Sequence, residues 1–325
     1  MEKKKTFIYG SMLLVECFFW GVGNPVMKIG LTVIPPLFCL SIRYILAVLL
    51  FLPFLGKRVF AHVTLKQLPI YMLIAAFTAG SFITSAFSLM HTTATNSGFL
   101  MSTAVIFTPF LSYFILKSKL DKKHIIPILI VIVGLFLLCS GGGAFSFGLG
   151  EFLAVLCSIS GAGMLVFSSK YLQDMDPLVT TVMQTLFTGL FCLIFSLAFE
   201  DRPSLSEIPM LGWGVIVYLA VGCTCIAYVF QNLALRHVPA TYAALAFCSE
   251  PIFTAIASYF MLGEQLSAKG LIGAGLIMIS IIIGSLLPEE LPESIQHPDT
   301  PDSIDQPEAL HAKVGQVQVL PPQQP

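Results

Sequence analysis

Charge is scarce in this sequence. Of its 325 residues 11% are Asp, Glu, Lys or Arg and 56% are hydrophobic, whereas an ordinary soluble domain carries about 25% charged residues. A water-solvated fold of this length needs a larger polar surface, so the deficit points to lipid as the solvent. Tryptophan is also rare, with 2 residues against 27 phenylalanines. The 17 basic and 18 acidic residues nearly cancel. That balance leaves no basic excess for a nucleic-acid partner. The chemistry-bearing motifs are missing as well. There is no His-Glu-x-x-His and no Gly-x-Ser-x-Gly elbow. Gly141–Gly143 lacks the Lys-Ser/Thr of a nucleotide-binding loop. No metal or cofactor is implied. All eight cysteines lie in apolar runs, unlike the frameworks of small secreted domains. They read as reduced, packed thiols, and Cys223-x-Cys225 puts its two sulfurs on opposite sides of a helix.

What is present is a succession of apolar runs. A hydrocarbon core about 30 Å thick takes roughly 20 helical residues. Spans are expected over 8–26, 36–55, 68–89, 94–116, 124–140, 149–168, 177–198, 209–230, 240–261 and 268–287. Pro35-Pro36, Gly56-Lys57-Arg58, Gly141–Gly143, Arg202-Pro203 and Val238-Pro239 punctuate them. Met1-Glu-Lys-Lys-Lys5 ahead of an apolar run resembles a signal peptide. Glu16 inside the run, and the lack of a small-residue cleavage site, favour an uncleaved first span. With the N-terminus in the cytoplasm, twelve Lys and Arg fall inside and three (Lys28, Arg202, Lys269) outside. Ten spans with both termini cytoplasmic are therefore expected, in the cell membrane. The segment 288–325, rich in Pro, Glu, Asp and Gln, is expected to be a disordered cytoplasmic tail.

The chain repeats itself. Leu89-Met-His-Thr-Thr-Ala-Thr95 aligns with Leu235-Arg-His-Val-Pro-Ala-Thr241 at an offset of 146 residues, and 13 of the 35 positions from Leu89 to Lys123 are identical. Composition alone does not match polar pairs such as His91/His237, Thr95/Thr241 and Tyr113/Tyr259. Five spans separate the copies, an odd number, so the second starts from the opposite face. The result is an all-α membrane protein of two inverted five-helix repeats, 1–140 and 149–287. Such halves exchange conformations around a midplane site.

These residues resemble the EamA family of the drug/metabolite transporter superfamily. The second copy carries the likeness in Ala234-Leu-Arg-His-Val-Pro-Ala-Thr241, Ser249-Glu-Pro-Ile-Phe253 and Leu262-Gly-Glu-Gln-Leu266. Trp20-Gly21 with Lys28, and Arg43-Tyr44 with Ala47, resemble the first two spans. The first copy departs from the pattern: Val105 stands where a Pro is common, Pro109 follows, and the loop Lys117-Ser-Lys-Leu120 lacks an acidic residue. The resemblance implies a transporter of small organic metabolites such as amino acids or drugs. It does not narrow the solute.

Charges inside the bilayer are the first site candidates, because a charge at a helix centre costs about 2.5–3.5 kcal/mol on insertion scales. At about 1.5 Å per residue, Arg43 lies roughly 10 Å, and Glu16 and Glu250 roughly 15 Å, below the outer surface. Burial penalises a carboxylate's charge. Either glutamate is thus a candidate to carry a proton or to hold a substrate ammonium. The alternative is an ion pair with Arg43 that fastens helices. For Glu250 the alternative is service to a kink at Pro251. Trp20, Asn24, Asn96, Gln184, Asn232 and Tyr242 are uncharged candidates, each with a helix-end or interface role as its plain alternative. A secondary transporter, working as an exporter, is the leading function. The alternatives are a sensor or scaffold acting through the tail, and an intramembrane enzyme using the two carboxylates.

Overall fold

The structure, a computed structural model, describes residues 2–117, 125–139, 148–201, 203–265 and 267–286. The expected tail, the Lys117–Lys123 loop beyond Lys117, the Gly141–Gly143 run and Arg202 lie outside them. The described residues form helices joined by short turns, with no strand among them. The helices are α1 (Glu2–Gly30), α2 (Pro36–His62), α3 (Leu68–His91), α4 (Ala94–Met101), α5 (Ala104–Leu116), α6 (Ile125–Cys139) and α7 (Leu149–Tyr171). They continue as α8 (Pro177–Phe199), α9 (Met210–Ala220), α10 (Ala227–Leu235), α11 (Ala240–Phe247), α12 (Glu250–Leu262) and α13 (Ala268–Leu286). A π-helical segment, Val221–Ile226, joins α9 to α10. Among the described residues, eight segments are long and apolar enough to cross a membrane. The apolar stretches Ile125–Gly134 and Ala268–Ser280 are shorter. The protein is a multi-pass membrane protein.

Several helix starts are capped by side chains. Thr93 accepts from the Asn96 N–H at the head of α4. Asp176 accepts from the N–H groups of Leu178 and Val179 at the head of α8. The head of α2 is capped from a distance: Glu200, at the far end of α8, accepts from the N–H groups of Leu37 and Phe38 at 2.9 and 2.8 Å.

Two expected spans are broken, in matching places. α4 and α5 part at Ser102–Thr103, and α11 and α12 part at Cys248–Ser249. All four helix ends coincide at the 146-residue offset. The same side-chain chemistry stands at both breaks. Ser102 Oγ and Cys248 Sγ bond back to the carbonyls of Gly98 and Ala244, four residues earlier. Thr103 Oγ1 and Ser249 Oγ bond to those of Leu100 and Ala246, three residues earlier. Such bonds compete with the helical ladder and bend it. Proline is not required for such a break, since the first copy breaks at the same point with Val105 in place of Pro251. Both segments also end on a left-handed residue, Lys117 with φ 52° and Gly263 with φ 70°.

Packing follows the same exchange. α1 lies on α12 as α7 lies on α5, and α1 meets α9 and α10 as α7 meets α3. α2 pairs with α8, and α6 with α13. The α1–α12 approach is so close that a Cβ on Gly21 would stand 2.5 Å from the Cβ of Phe253 and 2.8 Å from the carbonyl oxygen of Glu250. α1 does not end at Asn24-Pro25. It continues to Gly30 with Pro25 inside it, because Asn24 and Met27 are buried among neighbouring helices.

Candidate functional site

A cavity opens beside both breaks. It holds about 870 Å³ of empty space, part of it open to the surroundings, and its walls come from α1, α2, α3, α7, the α4–α5 and α11–α12 segments and the span around the π segment. Met101 and Ala104 line it from the first copy, Phe247 and Glu250 from the second. These are matched positions at the 146-residue offset, so the cavity lies where the two copies meet.

Of the candidates named from sequence, Trp20, Asn24, Arg43 and Glu250 line this cavity. Glu250 is the first residue of α12, where the positive end of the helix dipole favours a carboxylate. Asn24 spends both amide hydrogens there, donating to Glu250 Oε1 at 2.9 Å and to Thr254 Oγ1 at 3.0 Å. Trp20 donates through Nε1 to the Cys223 carbonyl at 2.9 Å. Its ring meets Phe82 and Phe247 edge-on at 5.8 and 5.3 Å.

Arg43 is 2% exposed. The expected ion pair between it and a glutamate does not form. Its Nε donates to Thr224 Oγ1 at 2.8 Å and its Nη2 to the Cys223 carbonyl at 3.1 Å. The Cys223 carbonyl belongs to the π segment, and Arg43 and Trp20 both donate to it. The guanidinium also lies over the Tyr44 and Phe82 rings, 5.0 and 4.7 Å from their centroids. It does not snorkel outward.

The other candidates lie elsewhere. Glu16 is fully buried, and neither carboxylate oxygen has a partner among the described residues. It is outside the cavity lining. Gln184 and Asn232 form a separate buried network. Asn232 Nδ2 donates to Thr181 Oγ1 and Gln184 Oε1, and Gln184 Nε2 donates to Thr78 Oγ1. Asn232 does not close its span, since α10 runs on to Leu235. Asn96 is half-buried in the first turn of α4. Tyr242 is buried beside α1, where a Cβ on Gly10 would stand 2.7 Å from its hydroxyl. Neither lines the cavity.

Sequence reasoning missed the serines. Ser81 and Ser85 on α3 line the cavity with Ser102 and Ser158. Their signal was available: Ser81, Ser85 and Ser88 recur at helical spacing in an apolar run.

A polar clasp closes one end of the bundle. Glu264 caps α4 by accepting from the N–H groups of Ala94 and Thr95, both at 3.1 Å, and from the Thr95 hydroxyl at 2.5 Å. Lys28 donates to the Thr92 carbonyl at 2.7 Å and lies 3.8 Å from Glu264. The Thr92 hydroxyl donates to Glu151. The matching position in the first copy, Ser118, lies outside the described residues. No group of three or more potential metal ligands occurs among the described residues.

The chain is 27% identical over 274 residues to an uncharacterized transporter of Archaeoglobus fulgidus, covering 84% of each chain. It is 27% identical over 244 residues to the uncharacterized transporter YyaM of Bacillus subtilis, covering 71% of this chain and 74% of that one. A crystal structure at 15% identity superposes with a TM-score of 0.69 over 87% of this chain and 97% of its own. That likeness establishes the fold alone. The profile of the EamA-like transporter family matches twice in succession, over residues 8–140 and 148–286. With transporters as its relatives and two copies of one family's repeat along most of its length, the chain belongs to the EamA-like transporter family.

Proposed function

We propose that the protein is a secondary transporter that exports small organic metabolites, such as amino acids or drugs, by alternating access. The observation that carries this reading is the cavity between the two copies, walled by the matched pairs Met101/Phe247 and Ala104/Glu250. A solute held there touches both copies at once, so a change in their relative packing changes the face to which it is open. The odd number of spans between the copies, and the twelve-to-three bias of basic residues, support two inverted five-helix repeats, ten spans and cytoplasmic termini in the cell membrane. In this reading Trp20, Asn24, Arg43 and Glu250 contact the solute. Gln184 and Asn232 serve helix packing.

Protons are the coupling ion in this reading. Glu16 is fully buried and Glu250 half-buried in the same bundle, and neither carboxylate forms an ion pair among the described residues. Unpaired buried charge is costly, so a proton relieves the pair and its release restores it. Glu16→Gln is expected to abolish uptake driven by a pH gradient while leaving solute exchange intact. Equal loss of both, with a poorly folded variant, would make Glu16 a packing residue. The transport reading itself is tested with purified protein in liposomes and radiolabelled amino acids, nucleosides and drugs, in both orientations. Silence across that panel would sink it, and net movement only into cells would overturn export.

A further inference from the structure

Arg43 is a buried cation with an unused face. A guanidinium has five N–H donors. Its side edge, Nε and Nη2, is spent on Thr224 and Cys223. The end edge, formed by Nη1 and the second hydrogen of Nη2, has no acceptor among the described residues, and Arg43 lines the cavity. The two ion pairs of the described residues, Lys28–Glu264 and Arg58–Asp176, do not involve it. Glu250 lines the same cavity without pairing to it.

We propose that the transported solute bears a single carboxylate, seated on the free end edge of Arg43, and an apolar or aromatic body against Trp20 and Phe82. The identification rests on the transport reading above and deepens it. The planar guanidinium fork matches a carboxylate in two parallel hydrogen bonds. The side-edge bonds and the two flanking rings hold that fork in place before a solute arrives. Among the described residues of the lining Arg43 is the one basic residue and Glu250 the one acidic residue, so a phosphate dianion or larger polyanion meets too little positive charge and some repulsion. The remaining walls, Met27, Leu40, Leu89 and Phe247 among them, are apolar and suit a hydrophobic body.

A matched series at neutral pH tests this: 3-phenylpropionate, phenylalanine, phenylalaninamide and phenethylamine, with ligand-induced thermal stabilisation of the purified full chain and counterflow in liposomes as readouts. At least one carboxylate is expected to bind about tenfold or more tightly than the amide and the amine. Arg43→Lys keeps the charge and loses the fork, and is expected to weaken that carboxylate about tenfold. Arg43→Gln removes the preference for it. Should Arg43→Gln not fold, the ligand series and the lysine variant decide. An amide or amine that binds and moves as well as the carboxylates overturns the inference and leaves the transport reading standing. So does an Arg43→Lys variant with unchanged affinity. If none of the four compounds acts while other solutes of the wider panel cross, the carboxylate assignment falls alone. If nothing crosses, both readings fall.

Discussion

The segments 94–116 and 240–262 are two solutions to one problem, and they agree in shape while differing in chemistry. Both break at the same register and turn left-handed at the same residue. Yet Glu250 stands where the first copy has Ala104, and both face the cavity. The shape is held by hydroxyl and thiol groups bonding back to carbonyls, a device indifferent to proline. The chemistry is held by a helix outside the pair, since Asn24 of α1 orients Glu250. Duplication supplies the frame, and substitution at a few matched positions supplies the polarity of the site.

The largest effect is expected from trading those matched positions. A chain with Ala104→Glu and Glu250→Ala keeps its charge count but places the carboxylate away from Asn24. Transport in liposomes is expected to fall by about 100-fold or more, the order of loss seen when an oriented electrostatic partner is removed. Near-normal transport would mean that the site is symmetric after all.

Gly21→Ala sharpens the contrast in packing. Its new methyl would press on Phe253 and on the backbone of α12, and overpacking of this kind costs about 1–3 kcal/mol. Thermal unfolding in detergent reads it, and an unchanged midpoint would show that α1 and α12 separate freely.

The heads of α2 and α8 differ in a third way, one being capped by a remote Glu200 and the other by its own Asp176. Burial pushes the Asp176 carboxyl up. Hydrogen bonds from Arg58 and from the N–H groups of Val179 and Leu178 outweigh that and hold it below the ordinary aspartate range. A lowered folded value stabilises the protein above the unfolded pKa, and that stability is lost as pH falls through the folded value. Asp176→Asn keeps a capping oxygen but loses the charge of the pair with Arg58, and is therefore expected to cost about 1 kcal/mol at neutral pH. The gap to the parent closes below about pH 4, as unfolding curves across pH would record. A gap independent of pH would assign the cost to shape.

The smallest effect concerns the left-handed ends. Lys117 holds the conformation that Gly263 adopts freely, at a cost of about 1–2 kcal/mol for a side chain. Lys117→Gly is expected to stabilise by about 0.5–1 kcal/mol after the added chain entropy of glycine is subtracted. A lowered unfolding midpoint would contradict this.

Much of the architecture was legible in the sequence because it depends on apolar runs and a repeat. The segment 94–116 emerged with the bounds expected of it. The breaks within it and within 240–262 were not legible. A serine or threonine in an apolar run does not reveal whether its hydroxyl bonds back to its own helix or across to another. The site was half legible. Charge in lipid singled out Arg43 and Glu250, but the same reasoning singled out Glu16, which is not part of the cavity lining. Depth along a helix can be counted from residues, whereas the direction of a side chain around it depends on neighbours. The ion pair expected for Arg43 failed for that reason: its partners are the Thr224 hydroxyl and the Cys223 carbonyl of a π-turn, and nothing in Val221–Ile226 announces one.

That π-turn also sets rotational phase. A π-turn accommodates an extra residue, and one residue corresponds to roughly 100° about an α-helix axis. Everything beyond Ile226 is thus turned by that angle from where an uninterrupted helix would carry it. Gln231 and Asn232 face the interior by virtue of a misfit six residues upstream. A single-residue deletion in that segment would act like a twist of the key, swinging the Asn232 amide away from Thr181 and Gln184 while removing neither partner.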